Sequence, residues 1–424
     1  MKKIRGCLVF LITLLCANAT VFTVSGGSAA AEETVKIGLN YPETGPYAKE
    51  GLNQRRSADL AAEEINAAGG ILGKKVQLVY RDTKANAKVG KETAIELFDK
   101  EGVQMIFGGV SSGVAIAVGK VAKQKNKLFF GTVTGSTELT AEEGVKTTFR
   151  EWYDSYMAAN ALASYLNSHF AGKKTFYITS DYSWGWTTED AFRNFTKTTD
   201  KNEHKALLTK LGSPDFKQVL AVAKDSQPTV LVLILFGRDL EIALKQASEM
   251  GIKANTQIVI PHITLDVAME VGPEVMEGIV GTTYWDWSVP FKYDYPKGKA
   301  YVENFAKKYS RYPTMTGAPA YVILHQYKDA VERAKSFDTA AVIKALEGHK
   351  YTGVKDEEQW RDFDHQSLGT VYAVKGKPAA EVNKDKFKQD FFEIISTMKG
   401  DVAAVGKDDW VKNRAKVGMP AALE

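Results

Sequence analysis

Ala61-Ala62-Glu63-Glu64-Ile65-Asn66-Ala67-Ala68-Gly69-Gly70-Ile71-Leu72-Gly73-Lys74-Lys75-Val76-Gln77-Leu78-Val79-Tyr80 is the stretch on which the fold turns. An amphipathic segment beginning near Gly51 closes at Ala68 before a glycine pair, and the apolar run Val76 to Tyr80 follows. With Val35 to Leu39 ahead of it, the stretch predicts strand, helix, strand. Working outward, the same rhythm recurs. Strands are expected at Met105 to Phe107, Leu128 to Phe130, Phe176 to Thr179, Val230 to Phe236, Gln257 to Ile260, Ile279 to Thr283 and Val371 to Val374. Helices are expected between them, among them Val89 to Lys100, Val114 to Lys125, Tyr156 to Phe170, Leu240 to Met250 and Pro319 to Ala334. Such alternation predicts an α/β fold of parallel sheets with helices on both faces, and ligands in such folds sit at the carboxyl ends of the strands.

A chain of 424 residues exceeds one small core, so two domains are expected. Met1 to Gly6 carries three positive charges, Cys7 to Val24 is apolar, and Ala29-Ala30-Ala31 is a small-residue site. This is the grammar of a cleaved secretory leader over residues 1–31, and it predicts an exported product. Without Lys2, Lys3 and Arg5 the formal charge of +4 falls to +1, a balance that points away from nucleic acid and anionic membrane surfaces. Both cysteines, Cys7 and Cys16, lie in the leader, so core burial has to stabilise the exported chain.

Gly109-Val110-Ser111-Ser112-Gly113 matches the G-x-S-x-G elbow of hydrolases, which keeps a secreted serine hydrolase using Ser111 in view. The same geometry serves binding, with Ser112 at a helix N-terminus taking a carboxylate or other anion. Thr132-Val133-Thr134-Gly135-Ser136-Thr137 is a second run of small residues and hydroxyls after a strand. No dinucleotide or nucleoside triphosphate motif occurs, and the histidines lack metal-ligand spacing, so neither cofactor nor metal is expected. Trp152, Trp184, Trp186, Trp285 and Trp287 fall in loops after strand-like runs, a placement that walls pockets for apolar or planar ligands.

These residues place the chain in a resemblance. Thr44-Gly45-Pro46-Tyr47, the run from Ala61 to Val76, Phe107-Gly108-Gly109-Val110-Ser111-Ser112, Thr134 to Thr140, Asp181-Tyr182-Ser183-Trp184-Gly185 and Leu244-Lys245-Gln246-Ala247 resemble the periplasmic leucine/isoleucine/valine-binding proteins, soluble receptors of branched-chain amino acid ABC importers. The resemblance implies a two-lobed type I periplasmic binding protein with a three-crossing hinge, a monomer that closes on a small ligand and docks on a membrane permease, with no catalysis. Lobe 1 would take residues 32–151 and 286–360, and lobe 2 residues 152–285 and 361–424. Crossings would fall near 152 to 154, 284 to 286 and 355 to 365.

By the same resemblance, Ser112 with Thr134, Gly135 and Ser136 would hold a ligand carboxylate. Trp184 and Phe236 or Gly237 would line the site from the other lobe, with Tyr47, Trp152 and Trp285 adding aromatic surface. Where amino-acid binders place an acid for the ammonium group, this sequence reads Ile260-Pro261-His262. An imidazole cannot replace a carboxylate as counter-ion to a cation. That departure points to an acid with an apolar or aromatic body, while Asp154 keeps amino acids open. Amide or urea uptake or sensing is the alternative on the same scaffold.

Overall fold

Two sheets organise the chain, which the computed structural model describes over residues 33–424. The leader expected at residues 1–31, with Cys7 and Cys16, lies outside the described residues. The first sheet takes Thr34–Tyr41 (β1), Lys75–Asp82 (β2), Met105–Gly109 (β3), Leu128–Thr132 (β4) and Thr148–Glu151 (β5) in the order β2-β1-β3-β4-β5, all parallel. Ala48–Ala67 (α1), Ala87–Glu96 (α2) and Ser112–Lys125 (α3) return the chain between strands. β3 and β4 are buried at every position, which is why they read as unbroken runs instead of alternating ones. β5 escaped sequence reading because its Thr-Phe-Arg-Glu segment is polar, yet all four residues are buried.

Ser155–Phe170 (α4) opens the second half. Thr175–Ser180 (β6), Ala206–Thr209 (β7), Val230–Ile234 (β8), Gln257–Ile260 (β9) and Val280–Thr283 (β10) run parallel, joined through Ser183–Thr196 (α5), Lys217–Asp225 (α6), Gly237–Glu249 (α7) and Leu265–Val271 (α8). Lys350–Thr352 (β11), Glu357–Trp360 (β12) and Ser367–Leu368 (β13) form a small antiparallel sheet. Val371–Gly376 (β14) and Phe392–Met398 (β15) extend the second sheet antiparallel, giving β15-β14-β10-β9-β8-β6-β7. Side-chain caps fix the helix starts: Asn86 accepts from Lys88 and Val89, and Asp154 from Met157.

The chain leaves the first sheet after Glu151, returns after Thr283, and leaves again between Leu368 and Val371. The third crossing thus lies beyond the expected 355 to 365. That segment is retained by Trp360, whose ring centroid lies 5.9 Å from Phe130 and 5.6 Å from Phe149. Nor do residues 361–424 all join the second sheet. In the helix Lys407–Lys416, Trp410 donates to the Thr140 carbonyl at 2.8 Å and Arg414 to the Ala141 and Gly144 carbonyls, all on the first-sheet side.

At the crossings, buried charge meets. The Tyr284 hydroxyl lies 2.9 Å from Glu151 and 2.8 Å from Glu358, and the Tyr351 hydroxyl donates to Glu151. Lys355 donates to the Tyr284 and Thr370 carbonyls at 3.1 Å each, with its nitrogen 3.2 Å from the centroid of the Tyr284 ring. One phenol proton cannot serve two carboxylates. Burial, then the charge of Glu151, raises the Glu358 carboxyl well above its usual range, so Glu358 itself carries the missing proton. A folded-state value above the unfolded one means the contribution is full below the ordinary carboxylate range and fades as pH rises. Glu358→Gln, neutral at every pH, is therefore expected to flatten the loss of unfolding free energy as pH rises above the ordinary carboxylate range. Denaturant titrations checks this, and an unaltered pH slope counts against it.

Candidate ligand-binding site

The turns that follow β3, β4 and β5 face those that follow β6, β8 and β9, so six strand ends converge on one cavity. Val110, Val133, Gly135, Trp152, Tyr182, Trp184, Phe236 and His262 line it, and their walls stand close together. Two of these betray the local demand on the backbone. Val110 and Val133, one residue past β3 and β4, sit at φ 58° and 57°, a left-handed conformation that β-branched residues avoid. Strain of this kind costs on the order of 1–3 kcal/mol per residue and collects at functional sites. It turns the chain sharply enough to set Gly135 against the opposite unit.

Ser112 is the first residue of α3, a helix start whose N–H groups lack partners within the helix. Its hydroxyl oxygen accepts from the Ser136 N–H at 3.1 Å, which leaves its own proton to donate. Ser136 caps the following turn by accepting from the Glu138 N–H, and its hydroxyl donates to the Glu138 carboxylate at 3.2 Å. Thr134 turns back to the sheet: its Oγ1 is 2.8 Å from the place a Cβ would take on Gly131. Gly135 is the tightest point. A Cβ there would meet Trp184 at 2.7 Å and the His262 Nε2 at 3.3 Å.

From the other side, Trp184 stands edge-on to Phe236 and His262, with centroids 6.0 and 5.5 Å away. Phe236, and not the alternative Gly237, is the lining residue; it forms the N-cap of α7 and packs against Tyr47 at 5.6 Å. Tyr47 meets Tyr182 hydroxyl to hydroxyl at 2.9 Å. Trp152 lies nearly parallel to His262 at 6.5 Å. His262 is buried, and neither ring nitrogen meets a partner in full hydrogen-bond geometry. Burial pulls it down to about 3, the Tyr153 backbone opposing weakly and the Arg150 charge adding to the fall, so the imidazole is neutral.

Of the expected residues, Gly135, Trp152, Trp184, Phe236 and His262 line the pocket, while Ser112, Thr134, Ser136, Tyr47, Asp154 and Trp285 are not among its lining residues. Asp154 is committed to Arg150 at 2.8 Å and to capping α4, so it offers no free charge to a ligand. Trp285 packs on Tyr301 and donates to the Val354 carbonyl at 3.2 Å, within the first-sheet unit. Beneath the Ser136 turn, fully buried Arg150 donates to the Ser136 carbonyl, to Thr140 at 2.9 Å and to Gln366 at 2.6 Å, bracing the turn from behind. Sequence reading missed Tyr182, although it stands beside Trp184 in the quoted motif, and missed Val110 and Val133, whose strain leaves no mark in residue type. Among the described residues His262, the histidine that lines this pocket, hydrogen-bonds neither serine nor carboxylate.

The sequence model of a family described as "Periplasmic binding protein" matches residues 34–382. The Leu/Ile/Val-binding protein homolog 7 of Brucella abortus is 27% identical over 338 residues, covering 77% of this chain and 84% of that one. Among solved structures, the amino acid ABC transporter substrate-binding protein of Pseudomonas fluorescens Pf-5 superimposes with a TM-score of 0.79 at 27% identity, over 89% of this chain and 99% of that one. A solute binding protein of an ABC transporter from Rhodopseudomonas palustris HaA2, in complex with p-hydroxybenzoic acid, shares the fold with a TM-score of 0.76 at 22% identity, over 87% and 98%.

Proposed function

We propose that this chain, which belongs to the periplasmic binding protein family, is the periplasmic receptor of an ABC importer and captures a small carboxylic acid with an apolar or aromatic body. One observation supports the reading: the cavity has aromatic walls and a neutral imidazole with no carboxylate among its lining residues, and Val110, two residues before the start of α3, stands at its edge. The acid's carboxylate would receive the Ser112 proton and first-turn N–H groups of α3, and its body would lie among Trp152, Trp184 and Phe236. The neutral His262 would accept from or donate to a polar substituent, which its two unpartnered nitrogens favour. The scaffold accommodates such a guest in the Rhodopseudomonas palustris protein that holds p-hydroxybenzoic acid. Ligand contacts made by both units exist only when they are closed, so ligand shifts the population towards closure, and the closed form would dock on a membrane permease.

A second reading, a branched-chain amino acid, draws on the Brucella relatives. It requires an anion for the ammonium group, and Asp154 is already paired.

Thermal-shift screening against aromatic carboxylates, branched-chain amino acids and small amides including urea tests the choice. A specific ligand at a hundred times its Kd stabilises by about 2.7 kcal/mol. Aromatic acids are expected to raise Tm and leucine to do little; stabilisation by urea or amides alone would overturn the carboxylate reading. With the best acid, Ser112→Ala is expected to weaken binding roughly tenfold or more, the worth of a charge-assisted hydrogen bond. Trp184→Ala is expected to match that loss. Calorimetric Kd values read both, and unchanged affinity in the serine variant removes Ser112 from the site.

A further inference from the structure

Away from the aromatic pocket, the two units are joined at the cleft mouth by their own charged side chains. Lys49, in the first turn of α1, reaches across to donate to Glu241 on α7 at 2.9 and 3.0 Å and to Glu270 on α8 at 2.8 Å. Next to it, Glu50 is 1% exposed and its Oε1 has no hydrogen-bond partner among the described residues. That oxygen lies 3.2 Å from the position a Cβ would take on Gly237, the first residue of α7. The cover over Glu50 therefore comes from the opposite unit. The charged groups acting on it are Asp266 on α8, Glu241 on α7 and Lys49 on its own side, and Arg238 and Lys245 of α7 and Glu270 of α8 line the same pocket as Glu50. Lys49 is engaged by Glu241 and Glu270, and Arg311 by Asp266 at 3.1 Å. Among the described residues Glu50 has no ion pair of its own.

We propose that Lys49 clasps the two units shut and that Glu50 takes up a proton as they close, so that closure, and ligand capture with it, weakens as pH rises. The inference rests on the reading of the cleft as one that closes on a ligand. A carboxylate cannot stay charged when water is stripped from it and acids are set beside it. Burial, then the charge of Asp266, lifts Glu50 from 4.5 to about 8 in the closed arrangement. The closed state then binds the extra proton. Below the ordinary carboxylate range both states are protonated and pH has no effect. Between there and about 8, closing consumes a proton, and its equilibrium constant falls by up to about tenfold per pH unit.

The test needs no ligand. Ala87 and Lys210 are exposed and follow the edge strands β2 and β7, far from the crossings. Spin labels on Ala87→Cys and Lys210→Cys, with Cys7→Ser and Cys16→Ser to remove other thiols, report the distance between units by pulsed electron resonance. The ratio of short to long distances is expected to be at least about tenfold greater near pH 5.5 than near pH 7.5. Glu50→Gln should give one ratio at both pH values, and Lys49→Met should lower it roughly fivefold at both. A pH-independent ratio in the otherwise unaltered chain, a retained slope in Glu50→Gln, or unmoved distances in Lys49→Met would each overturn the proposal. Leucine and 4-hydroxybenzoate, added afterwards, probe the ligand reading separately: indifference to both counts against that reading and leaves the ligand-free result standing.

Discussion

Gly135→Val is expected to abolish ligand binding, with affinity lowered at least about a hundredfold, while the chain folds and melts close to the parent. The backbone at Gly135 is not in the left-handed region, so the substitution carries no conformational penalty of its own. Its cost falls on closure. A Cβ would stand 2.7 Å from two atoms of the Trp184 indole and 3.3 Å from the His262 Nε2, both on the opposite unit. Contacts that short hold the units apart unless the indole leaves the pocket, and either outcome removes the site. Thermal shift and calorimetry with the acid that stabilises the parent chain provide the readout. Parent-like affinity would mean that Gly135 and Trp184 do not meet when ligand is bound.

The second large effect is on stability. Arg150→Met is expected to cost about 3–5 kcal/mol, because removing one partner leaves the other charge buried and uncompensated. Arg150 and Asp154 are both buried, and the arginine also serves Ser136, Thr140 and Gln366. Asp154 would retain only the Met157 N–H. Replacing Asp154 by asparagine in the same chain should recover part of the loss, since contacting residues are not additive. Urea midpoints of the two variants measure it; a loss below about 1 kcal/mol in the single variant would show the pair to be dispensable.

The same pair shows why sequence reading stopped where it did. β3, β4 and β8 were legible because strands buried on both faces need apolar residues at every position. β5 was not, since Arg150 and Glu151 are affordable inside only through partners such as Gln366 and Tyr284, which stand 216 and 133 residues away. β7 and β15 lie at the edges of the second sheet, where exposed positions such as Leu208 blur the pattern. Trp152, Trp184, Phe236 and His262, which line the pocket, stand in turns after strand ends, where the sequence leads one to expect site residues. Asp154 and Trp285 stand at equivalent places in the chain and were drawn off by tertiary partners. Lys49 and Glu50 gave no signal, for a lysine and glutamate opening a helix look like any solvated first turn.

The helix Lys407–Lys416 bears on the order of assembly. Its Trp410 and Arg414 tie down residues 140–144, beside the Ser136 turn, although they are made long after it. The first sheet also waits for Trp360, and the second for β14 and β15. Neither unit is contiguous, so a chain that emerges amino terminus first can finish neither before most of the other has appeared. Loops this long make for slow closure and leave apolar strand faces uncovered in the interval. The half-made chain is therefore a natural client for a holding chaperone, and its ligand pocket is among the last parts to be braced.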